Sequence, residues 1–147
     1  MARFDLDERL DADTLPGGML QLCMLRVMDD ARFDWIVMVP RRAGLSELHD
    51  LPPPLRAILM EEIVGVSDRL KAATAAKKIN VAMFGNMVPQ LHIHVIARHE
   101  NDAAWPGGAV GFGTRAPMDE AARKEKLDRL MPVLRPGLNT GSPSALF

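Results

Sequence analysis

Apolar positions along this chain fall into several short runs and one long periodic stretch. Leu20–Met28 and Trp35–Val39 are apolar runs separated by the polar segment Asp29-Asp30-Ala31-Arg32, which predicts two antiparallel strands joined by a turn. Pro40 closes the second strand, and Arg41–Leu51 reads as a loop leading to Pro52-Pro53-Pro54, residues tolerated at a helix start and not in its interior. Leu55, Ile58, Leu59, Ile63, Val66 and Leu70 then recur at helical spacing, with Arg56, Glu61, Asp68, Arg69 and Lys71 largely opposite. An amphipathic helix lying on a sheet is therefore expected as far as about Lys77. Ile79–Phe84 predicts a third strand, Gly85–Pro89 a tight connection, and Leu91–Ala97 a fourth strand. The region His99–Thr114 reads as irregular, and a last helix around Asp119–Met131 should bury Leu127, Leu130 and Met131.

This order predicts an α+β domain: an antiparallel sheet, one long helix between two hairpins, and a C-terminal helix. Residues 1–135 form one domain, and the Gly-, Ser- and Pro-containing residues 136–147 read as a loosely ordered tail. The chain has 147 residues, 48% of them hydrophobic, which suits a single core. Its formal charge of −1 provides no global field for nucleic acid, so an anionic ligand must be held by a local site. One cysteine, Cys23, excludes an intramolecular disulfide framework and a cysteine zinc cage, and it reads as a core residue. Charges at Arg3, Asp5, Asp7, Glu8 and Arg9 leave no apolar secretion signal, and no stretch is long enough to cross a bilayer. A cytoplasmic protein with no membrane partner is the expectation.

The chemistry concentrates in Gln90-Leu91-His92-Ile93-His94-Val95-Ile96. In an extended strand Gln90, His92, His94 and Ile96 share one face while Leu91, Ile93, Val95 and Ala97 share the other. One face is then core and the other is chemistry, with the two imidazoles roughly 7 Å apart along the strand. A lone strand histidine is usually a half-buried, hydrogen-bonded residue. A polar ladder opposite a wholly apolar face points instead to a site. A His-x-His pair also serves zinc and non-haem iron enzymes, but that reading needs a third ligand, and neither His99 nor Glu100 completes a recognisable set.

Gly85-Asn86-Met87-Val88-Pro89-Gln90-Leu91-His92-Ile93-His94-Val95-Ile96 resembles the signature of the histidine triad, or HIT, superfamily, whose pattern is His-φ-His-φ-His-φ-φ with φ apolar. The likeness extends over roughly residues 20–108 and is nearest to bacterial HIT hydrolases labelled diadenosine polyphosphate hydrolases. His92 and His94 match the middle and third histidines, and Gln90 stands where the first would be. The resemblance implies a HIT-like fold and cleavage at the α-phosphate of a dinucleoside polyphosphate or nucleoside phosphoramidate. In this scheme His92 becomes nucleotidylated, its tautomer fixed by a backbone carbonyl near position 90. It further implies that His94 hydrogen-bonds near the phosphate and that Gln90 faces the leaving group, where an amide donates but is no matched proton donor.

By the same likeness Asn86 contacts the phosphate, Gly85 allows close backbone approach, Asn80 is a further phosphate-side group, and Asp30, rather than Asp29, meets the ribose. Met87 supplies no hydroxyl where serine or threonine is common. Phe33 and Trp35 either line a base pocket or belong to the core, Trp105-Pro106 either rims the nucleotide or packs a dimer, and His49 and His99 read as surface residues. A nucleotide substrate, a homodimer, and neither metal nor cofactor are implied. The alternative, motivated by Gln90 and Met87, is a protein that keeps the pocket and binds nucleotide without turnover.

Overall fold

The computed structural model describes residues 2–137, so nearly all of the expected tail lies outside the described residues. Asp7 caps the short helix α1 (Glu8–Asp13), its carboxylate accepting from the Arg9 amide. The chain continues into β1 (Thr14–Met19), β2 (Cys23–Met28) and β3 (Asp34–Pro40), an antiparallel meander. A loop with a single 3-10 turn at Leu48–Asp50 leads to α2 (Pro53–Thr74), which ends at Ala75 in the left-handed region, φ 52°. β4 (Lys78–Ala82) and β5 (Ile93–Arg98) follow, then the long irregular segment, α3 (Glu120–Arg129) capped by Asp119, and α4 (Met131–Leu134). The sheet order is β1-β2-β3-β5-β4 with every neighbouring pair antiparallel, as the α+β reading expects. Among the described residues no helix is long and apolar enough to cross a membrane.

The apolar stripe of α2 packs Leu59, Ile63, Val66 and Leu70 onto Cys23, Leu25, Val27, Ile36, Met38, Ile93 and Val95. That half of the expectation holds. The opposite face is not simply open: Trp35, Val37, Val39 and Ile96 form a second cluster with Leu10, Phe33, Ala104 and Ala109, and Phe4 and Leu6 pack against it. The N-terminal segment and the irregular segment after β5 thus cover much of the face assigned to chemistry.

Three elements, α1, β1 and the short α4 beyond the expected last helix, were not expected. In β1, Gly17 and Gly18 stand where the backbones of Leu25 and Leu134 occupy the space a Cβ would need, so close packing, not strand propensity, selects those residues. The last two strands are also shorter than predicted. Gly85, at φ 81°, turns the chain after β4, and the Leu91 amide donates to the Leu45 carbonyl instead of to the sheet. β5 therefore begins at Ile93, with His92 just before it.

Candidate active site

β5 runs between β3 and β4, placing His94 opposite Val37 on one side and Ala82 on the other. His92 precedes the strand, yet its ring lies edge-on to His94 with centroids 4.9 Å apart. Both residues are buried. Each Nδ1 has one partner, and the partners differ in kind.

His92 Nδ1 lies 2.6 Å from the Gln90 carbonyl. A carbonyl can only accept, so His92 Nδ1 carries the proton and Nε2 holds the lone pair. His94 Nδ1 accepts at 3.0 Å from the indole N–H of Trp35. An indole can only donate, so the proton of His94 sits on Nε2. The two imidazoles are therefore set in opposite tautomers, one offering a lone pair and the other an N–H. Burial, reinforced by the neighbouring His92, pushes His94 down to about 4, so it is neutral at pH 7.

A cleft of about 320 Å³ adjoins this pair, lined by Ser46–His49 on one side, Met83–Gly85 on the other, and Leu91 and His92. The Leu91–Leu45 hydrogen bond anchors the first of these loops beside the histidines. No lysine or arginine lines the cleft. Phe84 is 58% exposed, and its ring is 6.2 Å from that of His94, a suitable flat surface for an aromatic ligand at the entrance. A larger cavity, about 600 Å³, lies between Phe4, Arg41, Arg42 and α2, and neither site histidine lines it.

The remaining predicted site residues divide sharply. Gly85 lines the cleft, and Asn86 is exposed beside it. Gln90 does not line the cleft: its amide is taken up by the N-terminal segment that covers this face, accepting from the Asp7 N–H and donating to the Asp5 carbonyl, both at 2.9 Å. Asn80 accepts from Arg98 at 2.7 Å, and Arg98 is buried with its other nitrogens on Asp102. That ion pair holds the Asp102 carboxyl far below the usual carboxylate range and anchors the loop carrying Trp105. Asp30 is 1% exposed, with its carboxylate on the Arg32 guanidinium and amide. Asp29 is likewise spent on Arg123 and the Met118 amide. Both acids latch the hairpin turn to the C-terminal layer, where the Lys126 ammonium donates to the carbonyls of Asp30 and Phe33. They do not face the cleft.

Sequence reasoning missed two members of the site. Trp35 is neither base-pocket wall nor mere core, since its N–H fixes His94, a diagonal partner across β3 and β5 that was not legible in the sequence. His49 lines the cleft with His92 although nothing near it in sequence signalled that position.

The HIT domain pattern matches residues 18–101, more than half of the chain. The protein belongs to the HIT family. A histidine triad protein from Sinorhizobium meliloti 1021 is 46% identical, with 89% of this chain and 97% of that one covered and a TM-score of 0.85. HIT proteins from Bradyrhizobium japonicum and Marinobacter aquaeolei VT8 are each 38% identical over 90% of this chain, covering 99% and 97% of theirs, with TM-scores of 0.85 and 0.87. No curated protein matches the sequence. HIT proteins are generally nucleotide hydrolases or transferases. In this HIT protein the rings of His92 and His94 meet edge-on, and the main-chain carbonyl of Gln90 orients His92.

Proposed function

We propose that the protein is a nucleotide hydrolase or transferase acting at the α-phosphate of a dinucleoside polyphosphate or nucleoside phosphoramidate. The observation that carries this reading is the 2.6 Å contact from His92 Nδ1 to the Gln90 carbonyl, because it leaves the Nε2 lone pair for attack. Nε2 bonds to the α-phosphorus while the bond from phosphorus to the leaving oxygen or nitrogen breaks, its electron pair going to the leaving group. The imidazole then carries phosphorus on Nε2 and a proton on Nδ1, a cation that the carbonyl stabilises. His94, neutral and protonated on Nε2, donates to the phosphoryl oxygens without adding charge of its own. Water or another acceptor attacks phosphorus in turn and gives up a proton to the solvent, from which the departed leaving group takes one, while the P–N bond returns its pair to His92.

Asn86 and the turn at Gly85 supply further donors from the cleft edge. The same reading takes a homodimer as the working unit, since β4 is an edge strand with Val81 exposed in it and Met83 exposed just past its end. A lone cysteine suits a reducing, cytoplasmic setting. The test is a quenched reaction against a panel of dinucleoside polyphosphates and phosphoramidates. Nucleoside monophosphate should appear covalently on His92, and His92→Ala should bind substrate while losing at least about a thousandfold in turnover. Wild-type rates in that variant would refute the mechanism, and binding without turnover by the unaltered protein would favour the nucleotide-binding alternative raised by Gln90 and Met87.

A further inference from the structure

We infer that residues 4–10 are a working part of this site and that Gln90 serves the reaction through them, as a positioning residue, without touching substrate. The inference rests on His92 being the nucleophile. Gln90 pairs with the backbone on both sides of Leu6 as a peptide group would, Oε1 on the Asp7 N–H and Nε2 on the Asp5 carbonyl. The segment is itself held down, because Phe4, Leu6 and Leu10 pack with Val37, Val39 and Ile96, while the Arg9 guanidinium donates to the Met87 carbonyl. The loop 87–90 is thus tied to the segment at both ends. Within that loop, the carbonyl of Gln90 is the group that fixes the His92 ring. Side chain and main chain of one residue therefore couple the N-terminal segment to the nucleophile.

This also explains why glutamine stands at position 90. An amide offers its acceptor and donor side by side, matching the spacing of a backbone C=O and N–H, whereas a neutral imidazole carries its donor and acceptor on separate ring edges. The braced segment lies outside the stretch 18–101 that the HIT domain matches. Glutamine and segment belong together.

The test uses the full chain with Gln90→Ala, Gln90→Glu, Asp7→Pro and Asp7→Ala, read by kinetics and by 15N NMR of the histidine rings in the free protein. Proline fits the observed φ of −55° at position 7 and deletes the N–H that Oε1 accepts; Asp7→Ala loses the same carboxylate but keeps that N–H, so it is the reference. Gln90→Ala against wild type, and Asp7→Pro against Asp7→Ala, should each lower kcat about tenfold with KM within roughly twofold, the scale of one positioning hydrogen bond. The His92 ring should pass from a single Nδ1–H tautomer to a mixture, and Gln90→Glu, retaining the acceptor, should keep part of the rate. The double variant Gln90→Ala/Asp7→Pro should be no slower than Gln90→Ala/Asp7→Ala. An unchanged ring spectrum in Gln90→Ala, additive losses in the double variant, or a rise in KM at constant kcat would overturn the brace. The ring spectra need no substrate, so they judge the brace even if His92 proves not to be the nucleophile.

Discussion

Replacing Trp35 with phenylalanine keeps a ring in the second cluster but deletes the N–H that His94 Nδ1 accepts. A buried acceptor left without its donor costs about 1–3 kcal/mol, and the smaller ring adds roughly 1 kcal/mol of lost packing, so about 2–4 kcal/mol should go at pH 7. The pH dependence separates the two contributions. In the wild type His94 titrates near 4 when folded and near the 6.5 of a free imidazole when unfolded, so the unfolded chain binds the proton first as pH falls. The stability from holding His94 neutral is complete above about pH 6.5 and is lost on descent to about pH 4, some 3 kcal/mol in all. The indole bond favours the neutral ring, so without it the folded midpoint rises by about one pH unit for a bond of about 1.4 kcal/mol. The variant then loses less on acidification, and its deficit against wild type narrows by about 1 kcal/mol between pH 7 and pH 4, where wild-type His94 is itself half protonated. Urea unfolding at both pH values, with 15N NMR of His94 to read its tautomer and midpoint, measures this. An equal deficit at both pH values, with an unaltered His94 midpoint, would refute the assignment of Trp35.

Asp30→Ala strips the buried partner from Arg32 and should destabilise the fold by about 3 kcal/mol, while nucleotide KM stays within roughly twofold. Thermal unfolding and substrate titration on one preparation check it, and a large rise in KM at unchanged stability would restore Asp30 to the ribose. Light scattering at micromolar concentration should give twice the 16.2 kDa chain mass. Val81→Lys on the exposed β4 edge should shift that particle toward the monomer, and a wild-type monomer with full activity would remove the dimer from the functional unit.

The elements that could be read from sequence were those whose periodicity their burial imposes. The Leu55-to-Leu70 stripe and the alternation through Ile93–Ala97 are dictated by the α2-facing core, the unbroken Trp35–Val39 run by burial on both faces, with Ile36 and Met38 toward α2 and Trp35, Val37 and Val39 in the second cluster, and each was found. β1 was invisible because Pro16, Gly17 and Gly18 carry no strand signal; their identity answers to the backbones of Leu25 and Leu134, which only the tertiary fold brings near. Within the site, His92 and His94 were legible from spacing and from the motif. Gln90, Asn80 and Asp30 do not line the cleft, and for a common reason: each has a long-range or turn partner, in Asp5 and Asp7, Arg98, and Arg32 with Ala116, that strand alternation does not encode. The acids of the first turn looked free to meet a ligand because their cations lie up to 94 residues away in sequence.

Cys23 sits in β2 with no exposed surface, its amide and that of Leu22 both bonded to the Glu62 carboxylate of α2. Burial first, and Glu62 second, raise its thiol far above the ordinary range. At neutral pH essentially no thiolate exists there, so oxidants and alkylating dyes find nothing to react with while α2 lies on the sheet. The chain can be kept without reductant and will not cross-link through sulfur. The slow labelling that does occur counts the moments when helix and sheet part, which makes this single native sulfur a clock for opening of the core.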